Sequence, residues 1–157
     1  MKFKTILYII FINFKIWIRK ILNKNPRPYK ALINLTDLCN SRCNFCDIWQ
    51  IKPKNEIDLK EICGVFDDFK SDLVWLSLSG GEITLVKYYK EMIDELIVRC
   101  KNIKILAFTT NALSINRALD FAVYAKDKGL DVLVTISLDG DEETHDKLRG
   151  VKGNYKK

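Results

Sequence analysis

The chain has 157 residues, 48% hydrophobic and 29% charged, enough to bury a core as one domain and too apolar for wholesale disorder. Its net charge of +6 is local: residues 1–30 hold eight Lys or Arg and no Asp or Glu, and the remainder carries 18 basic against 20 acidic side chains. The body is therefore near neutral, so no nucleic-acid partner is expected. Five cysteines, three of them clustered, do not suit a secreted disulfide framework and point to a reducing, cytoplasmic setting and a metal site.

Residues 1–22 come first. Phe3, Leu7, Ile10, Phe14, Trp17 and Ile21 recur at alternating four- and three-residue spacing and share one helical face. Ile9, Ile12 and Ile16 spoil the opposite face. The basic flanks and the apolar stripe with Trp suit a helix lying on a membrane surface beside anionic headgroups, at the inner face. Two rivals are packing against the body or a partner, and a spanning or signal role. Lys15 interrupts a span, and no small-residue cleavage site follows. Residues 23–30, with Pro26 and Pro28, read as a linker.

From residue 31 the pattern alternates. Ala31–Thr36 is a strand candidate and Asp58–Phe69 a helix. Leu73–Leu78 is a second strand, running into Ser79–Gly80–Gly81–Glu82, and Val86–Cys100 a second helix. Ile103–Thr109 is a third strand, and Ile115–Lys128 a helix stopped by Gly129. Val132–Leu138 is a fourth strand, and Asp141–Leu148 opens another helix. Continuous apolar runs separated by helices indicate an α/β fold with a parallel sheet. Periodicity leaves open whether that sheet is doubly wound or part of a barrel.

The segment Cys39–Cys46 reads CNSRCNFC, three cysteines on one loop directly after the first strand. Three thiolates so spaced can hold three irons of a cubane cluster and leave the fourth without a protein ligand, where a substrate can coordinate. Zinc usually takes four ligands. The single histidine, His145, is distant in sequence, while Cys63 and Cys100 lie on apolar helical stripes as small hydrophobes. Paired glycines at Gly80–Gly81 let backbone approach a ligand closely, and the Glu82 carboxylate can pair with an ammonium group.

Cys-x3-Cys-x-aromatic-Cys at the end of a first strand resembles the signature of the radical S-adenosylmethionine (radical SAM) superfamily. Asp47–Ile48–Trp49 resembles the branch with molybdenum-cofactor enzyme A and the SPASM-type peptide- and sugar-modifying members. The resemblance runs from about Ala31 to Lys157. It implies the first four β/α units of a parallel partial (β/α)6 barrel, incomplete after the fourth strand, behind the N-terminal helix.

It also implies a 4Fe–4S cluster on Cys39, Cys43 and Cys46, and S-adenosyl-L-methionine (SAM) held by Phe45, Gly80, Gly81, Glu82 and Ser137, with Thr110 and Asn111 on the site wall. Two positions depart from the family pattern: Ile83 follows Glu82 where Pro is common, and Ala112 follows Asn111 where Gly is usual. If position 112 needs a positive φ, Ala costs about 1 kcal/mol there. Asp139–Gly140 reads as a turn and Asp141 as a helix N-cap. The run His145–Asp146–Lys147–Leu148–Arg149–Gly150 matches a family pattern that pins the helix after the fourth strand; a general-base role for His145 is the lesser reading.

The activity implied is an oxidoreductase-like reductive cleavage of SAM to a 5′-deoxyadenosyl radical that takes hydrogen from an unknown substrate, peptide or carbohydrate. The electron comes from a reductant such as flavodoxin or ferredoxin. The competing reading is a truncated, non-catalytic iron–sulfur or metal-binding module attached to a membrane surface.

Overall fold

Four parallel strands, β1 (Lys30–Thr36), β2 (Trp75–Gly80), β3 (Ile105–Thr110) and β4 (Asp131–Ile136), lie side by side in chain order in the computed structural model. It describes residues 3–24, 28–52 and 56–157. Five helices accompany them: α1 (Phe3–Ile21), α2 (Leu59–Phe69), α3 (Tyr89–Arg99), α4 (Ile115–Asp127) and α5 (Glu142–Arg149). Every expected strand and helix is present. Residues 25–27 of the expected linker, and Met1 and Lys2 of the expected helix, lie outside the described residues.

The strand order settles what periodicity left open. A doubly wound sheet reverses its strand order partway, whereas strands laid down 1-2-3-4 with the crossover helices packed on one another follow the winding of a (β/α) barrel. The core lies between the sheet and α2–α4. Leu76, Leu78, Leu106 and Phe108 from the strands meet Ile62 and Phe66 of α2, Met92, Ile93 and Leu96 of α3, and Phe121 of α4. The residues between them on the strands, Ser77 and Ala107 in register with Leu32 and Leu133, face the concave side. There and along the β4 edge apolar surface is open: Leu32, Val134, Ile136 and Leu138 are exposed.

Local signals explain the element ends. Asp58 accepts from the Glu61 amide at 2.8 Å while Glu61 accepts from the Asp58 amide at 2.9 Å, a reciprocal cap that starts α2. Asp141 caps α5 through the Thr144 amide at 3.0 Å, and Gly150, at φ 65°, ends it. The second helix begins later than expected, at Tyr89, because residues 83–85 form a single 3-10 turn and Val86 is extended.

Helix α1 crosses the N-terminal ends of the strands. The Thr5 hydroxyl donates to Asp131 at the start of β4, at 2.7 Å, and Lys104, just before β3, sits 6.0 Å from the Tyr8 ring centre. Ile12 and Ile16 border a cleft of about 450 Å³ whose other wall includes Tyr29 and Val74, next to β1 and β2. The isoleucines that spoiled the polar face are thus the docking face. Phe3, Leu7, Ile10, Phe14, Trp17 and Ile21 all point away from the body and are exposed. Among the described residues no helix is long and apolar enough to cross a membrane.

Candidate metal centre and cofactor pocket

The cysteine loop is held from two sides. On one, the Gly81 amide donates to the Thr36 carbonyl and the Glu82 amide to the Leu38 carbonyl, both at 2.7 Å. A Cβ at Gly81 would lie 2.1 Å from the Leu38 oxygen, and one at Gly80, where φ is 125°, 2.3 Å from the Thr36 oxygen. The paired glycines admit a close backbone neighbour, and that neighbour is the chain entering the loop rather than a ligand. On the other side, the C-terminus of α5 receives the Arg42 amide on Arg149 at 2.9 Å and the Asn44 amide on Leu148 at 3.1 Å. Gly150 is required there too, since its Cβ would meet the Arg42 carbonyl at 2.3 Å.

All three thiols are free, with Cys43 buried and Cys39 and Cys46 partly so. Arg149 Nη1 lies 3.7 Å from Cys43 Sγ, and Asn111 Nδ2 lies 3.9 Å from Cys39 Sγ. Burial pushes the Cys39 thiol up, and the nearby Glu82, Cys43 and Cys46 push it further against a backbone hydrogen bond at Ser41. Metal loading must therefore displace a proton from it.

The three sulfurs share one pocket of about 170 Å³ with Phe45 and Trp49 of the loop, Ser79 and Gly80 of β2 and Gly81 just beyond it, Thr109, Thr110 and Asn111 at the end of β3, Ser137 beyond β4, and Arg149. The residues lining this pocket give three cysteines with N–H donors turned to two of the sulfurs and no His, Asp or Glu as a fourth ligand, a donor set that fits a polynuclear iron–sulfur cluster rather than a four-ligand zinc centre. Cys63 and Cys100 are elsewhere, in the helix core. Burial lifts the Cys100 thiol to about 11, and it donates to the Phe66 carbonyl.

Every residue assigned from the sequence lines this pocket except Glu82. Glu82 is 1% exposed. One carboxylate oxygen accepts from the Thr84 amide at 3.2 Å and from the Thr84 and Thr110 hydroxyls, each at 2.8 Å; the other accepts from the Asn111 amide at 2.7 Å. The carboxylate is a buried tie between the ends of β2 and β3. Oε1 takes three of the four donors and Oε2 one, which fixes the carboxylate across the strand ends.

Asn111 joins the same frame. Its Nδ2 donates to Asn40 Oδ1 at 2.8 Å, and its Oδ1 accepts from the Leu113 amide at 3.0 Å. The next residue, Ala112, adopts φ 60°, the conformation in which a Cβ is unfavourable. Ala112→Gly is expected to raise the unfolding free energy by about 1 kcal/mol, or roughly 2–4 °C in thermal midpoint, read by denaturation of the two chains side by side.

Sequence reasoning missed Arg149. Its guanidinium grips Asp139 through Nε at 2.5 Å and Nη2 at 3.1 Å and stands 5.5 Å over the Phe45 ring centre. The signal was in the His145–Gly150 run, which was read only as a helix anchor. His145 is an anchor. It is 2% exposed, and its Nδ1 accepts from the Asp139 amide at 3.2 Å. Its Nε2 must then carry the proton and donate, yet it faces Asn154 Nδ2 at 2.9 Å while Asn154 Oδ1 has no partner. Exchanging the two ends of the Asn154 amide satisfies both groups. With both ring nitrogens engaged away from the pocket, His145 is not positioned as a base.

Comparison with known proteins agrees with this geometry. The family model described as Radical SAM superfamily matches residues 33–157. The chain is 31% identical over 131 residues to the sporulation killing factor maturation protein SkfB of Bacillus subtilis, covering 82% of this chain and 30% of that protein. It is 34% identical over 136 residues to the Fe-coproporphyrin III synthase of Methanosarcina barkeri, covering 85% and 32%. Among solved structures, Streptococcus suis SuiB bound to precursor peptide SuiA superposes with a TM-score of 0.62 at 24% identity, over 90% of this chain and 31% of SuiB. The chain thus spans about a third of the length of these relatives. Superfamily members use a 4Fe–4S cluster and SAM, the pair the loop and pocket fit, and this chain belongs to the radical SAM superfamily.

Proposed function

We propose that this chain provides the cofactor-binding portion of a radical SAM enzyme that modifies a peptide. The observation that carries the reading is the convergence of three loop thiols, the Gly80–Gly81 backbone and Ser137 on one pocket past the C-terminal ends of the strands, where parallel α/β folds seat their ligands. Cys39, Cys43 and Cys46 as thiolates would hold the cluster and leave one iron open. When bound, the cluster and SAM supply a one-electron reductive cleavage to methionine and a 5′-deoxyadenosyl radical, with a flavodoxin- or ferredoxin-class protein as the electron source.

The chain's own side chains bind and orient. Arg149, fixed by Asp139, and Asn111, fixed by Asn40, turn N–H groups to the sulfurs, which eases addition of an electron. The Gly80–Gly81 backbone and the Ser137 hydroxyl offer polar groups to the methionine end of SAM. Phe45 and Trp49 cover the loop side against water. Glu82 acts through Thr110 and Asn111, whose placement it sets.

Peptide as substrate class rests on relatives: SkfB is named for maturation of a killing factor, and SuiB is bound to a precursor peptide. Cluster-loaded chain, reduced anaerobically with SAM, is expected to release 5′-deoxyadenosine. A deuterated peptide substrate would pass deuterium into it. A loaded, reduced chain that releases none contradicts the radical chemistry; deuterium arriving from a carbohydrate instead overturns the substrate class alone.

A further inference from the structure

The structure divides the apolar residues of α1 between two opposed faces, and only one is used. Thr5, Tyr8, Ile12 and Ile16 turn to the strand ends. The opposite face carries Phe3, Ile10, Phe14, Trp17 and Ile21, each more than half exposed. At 100° per residue, Lys4 and Lys15 fall along one border of that stripe and Lys20 along the other. All three are exposed.

We infer that this outward face is a docking surface for an anionic lipid bilayer, on which the body rides with α1 in the interface plane. An apolar stripe bordered on both sides by cations places its rings and aliphatic chains among acyl groups while the lysines reach the phosphates. The charge supports this occupant over a second copy of the chain. Residues 1–30 contain eight basic and no acidic side chains, so two such faces meeting would oppose like charges with no acid to relieve them. A lipid surface supplies the missing anions.

Placement fixes the orientation. Helix α1 lies across the N-terminal strand ends and the cysteine pocket lies past the C-terminal ends, so the pocket would open away from the bilayer by the length of the sheet, roughly 20 Å. The proposal does not depend on the chemistry of the pocket.

The test uses the whole chain with vesicles of phosphatidylcholine containing phosphatidylglycerol, against vesicles of phosphatidylcholine alone. Sedimentation with the mixed vesicles is expected, with Trp17 quenched by bromine-labelled acyl chains. Ile10→Glu with Phe14→Glu, both on the exposed face, should weaken binding by about 100-fold or more at unchanged helical circular dichroism. Lys15→Glu with Lys20→Glu, which removes no apolar surface, should abolish the preference for the mixed vesicles. Three results would overturn the inference: no sedimentation with either vesicle, binding that survives both pairs of substitutions, or a concentration-dependent dimer without vesicle binding that the Ile10 and Phe14 changes dissolve.

Discussion

Replacing Glu82 by alanine is expected to cost about 3–5 kcal/mol of folding free energy. The reason is the count of donors it serves. Two amides and two hydroxyls end on a carboxylate that is 1% exposed, and removing it strands all four away from water. Glu82→Gln should cost less, because one oxygen is kept, but more than about 1 kcal/mol, because its amide N–H group faces donors where the carboxylate faced them as acceptor. Urea titration followed by circular dichroism measures both. Losses under about 1 kcal/mol for the alanine variant would mean that the ends of β2 and β3 are held by something other than this carboxylate.

Cys43→Ser is expected to lower the iron retained after anaerobic reconstitution by about tenfold or more, while Cys63→Ser and Cys100→Ser keep it. Cys43 sits deepest of the three loop cysteines, with Ser41 and Arg149 against its sulfur. A serine hydroxyl stays protonated at neutral pH and is a harder, weaker donor to iron than a thiolate. The core cysteines serve as controls because they lie in the helix layer away from the loop, Cys100 on the Phe66 carbonyl and Cys63 beside Arg99 and Glu95. Iron and acid-labile sulfide assays on the three variants decide it; equal losses in all three would mean that the metal follows folding rather than the loop.

Much of this was legible in the chain itself, and the exceptions are instructive. The strands read well because they are continuous apolar runs set between helical patterns, though only the face toward α2–α4 is packed, and α2 and α5 read well because Asp58 and Asp141 announce their starts. The cysteine loop could be found by spacing alone. The role of Glu82 could not: a carboxylate after two glycines looks like a ligand group, and only the fold shows that Thr110 and Asn111, nearly thirty residues on, turn their donors to it. Arg149 escaped for the same reason, since its contact with Cys43 spans 106 positions. In α1 the pattern itself was clear but ambiguous. Two apolar stripes on one helix leave open which side meets the body, and only the docked position shows that Ile12 and Ile16 take it.

Cys39, Cys43 and Cys46 as thiolates would leave one iron of a cubane cluster open for SAM. The most direct measurement is the electron paramagnetic resonance spectrum of the reconstituted, reduced chain before and after SAM is added. Coordination at the open iron predicts a clear change in line shape and g values with SAM and none with 5′-deoxyadenosine, which lacks the amino and carboxylate groups. A chain that binds zinc without sulfide, or a reduced cluster whose spectrum SAM leaves untouched, contradicts it.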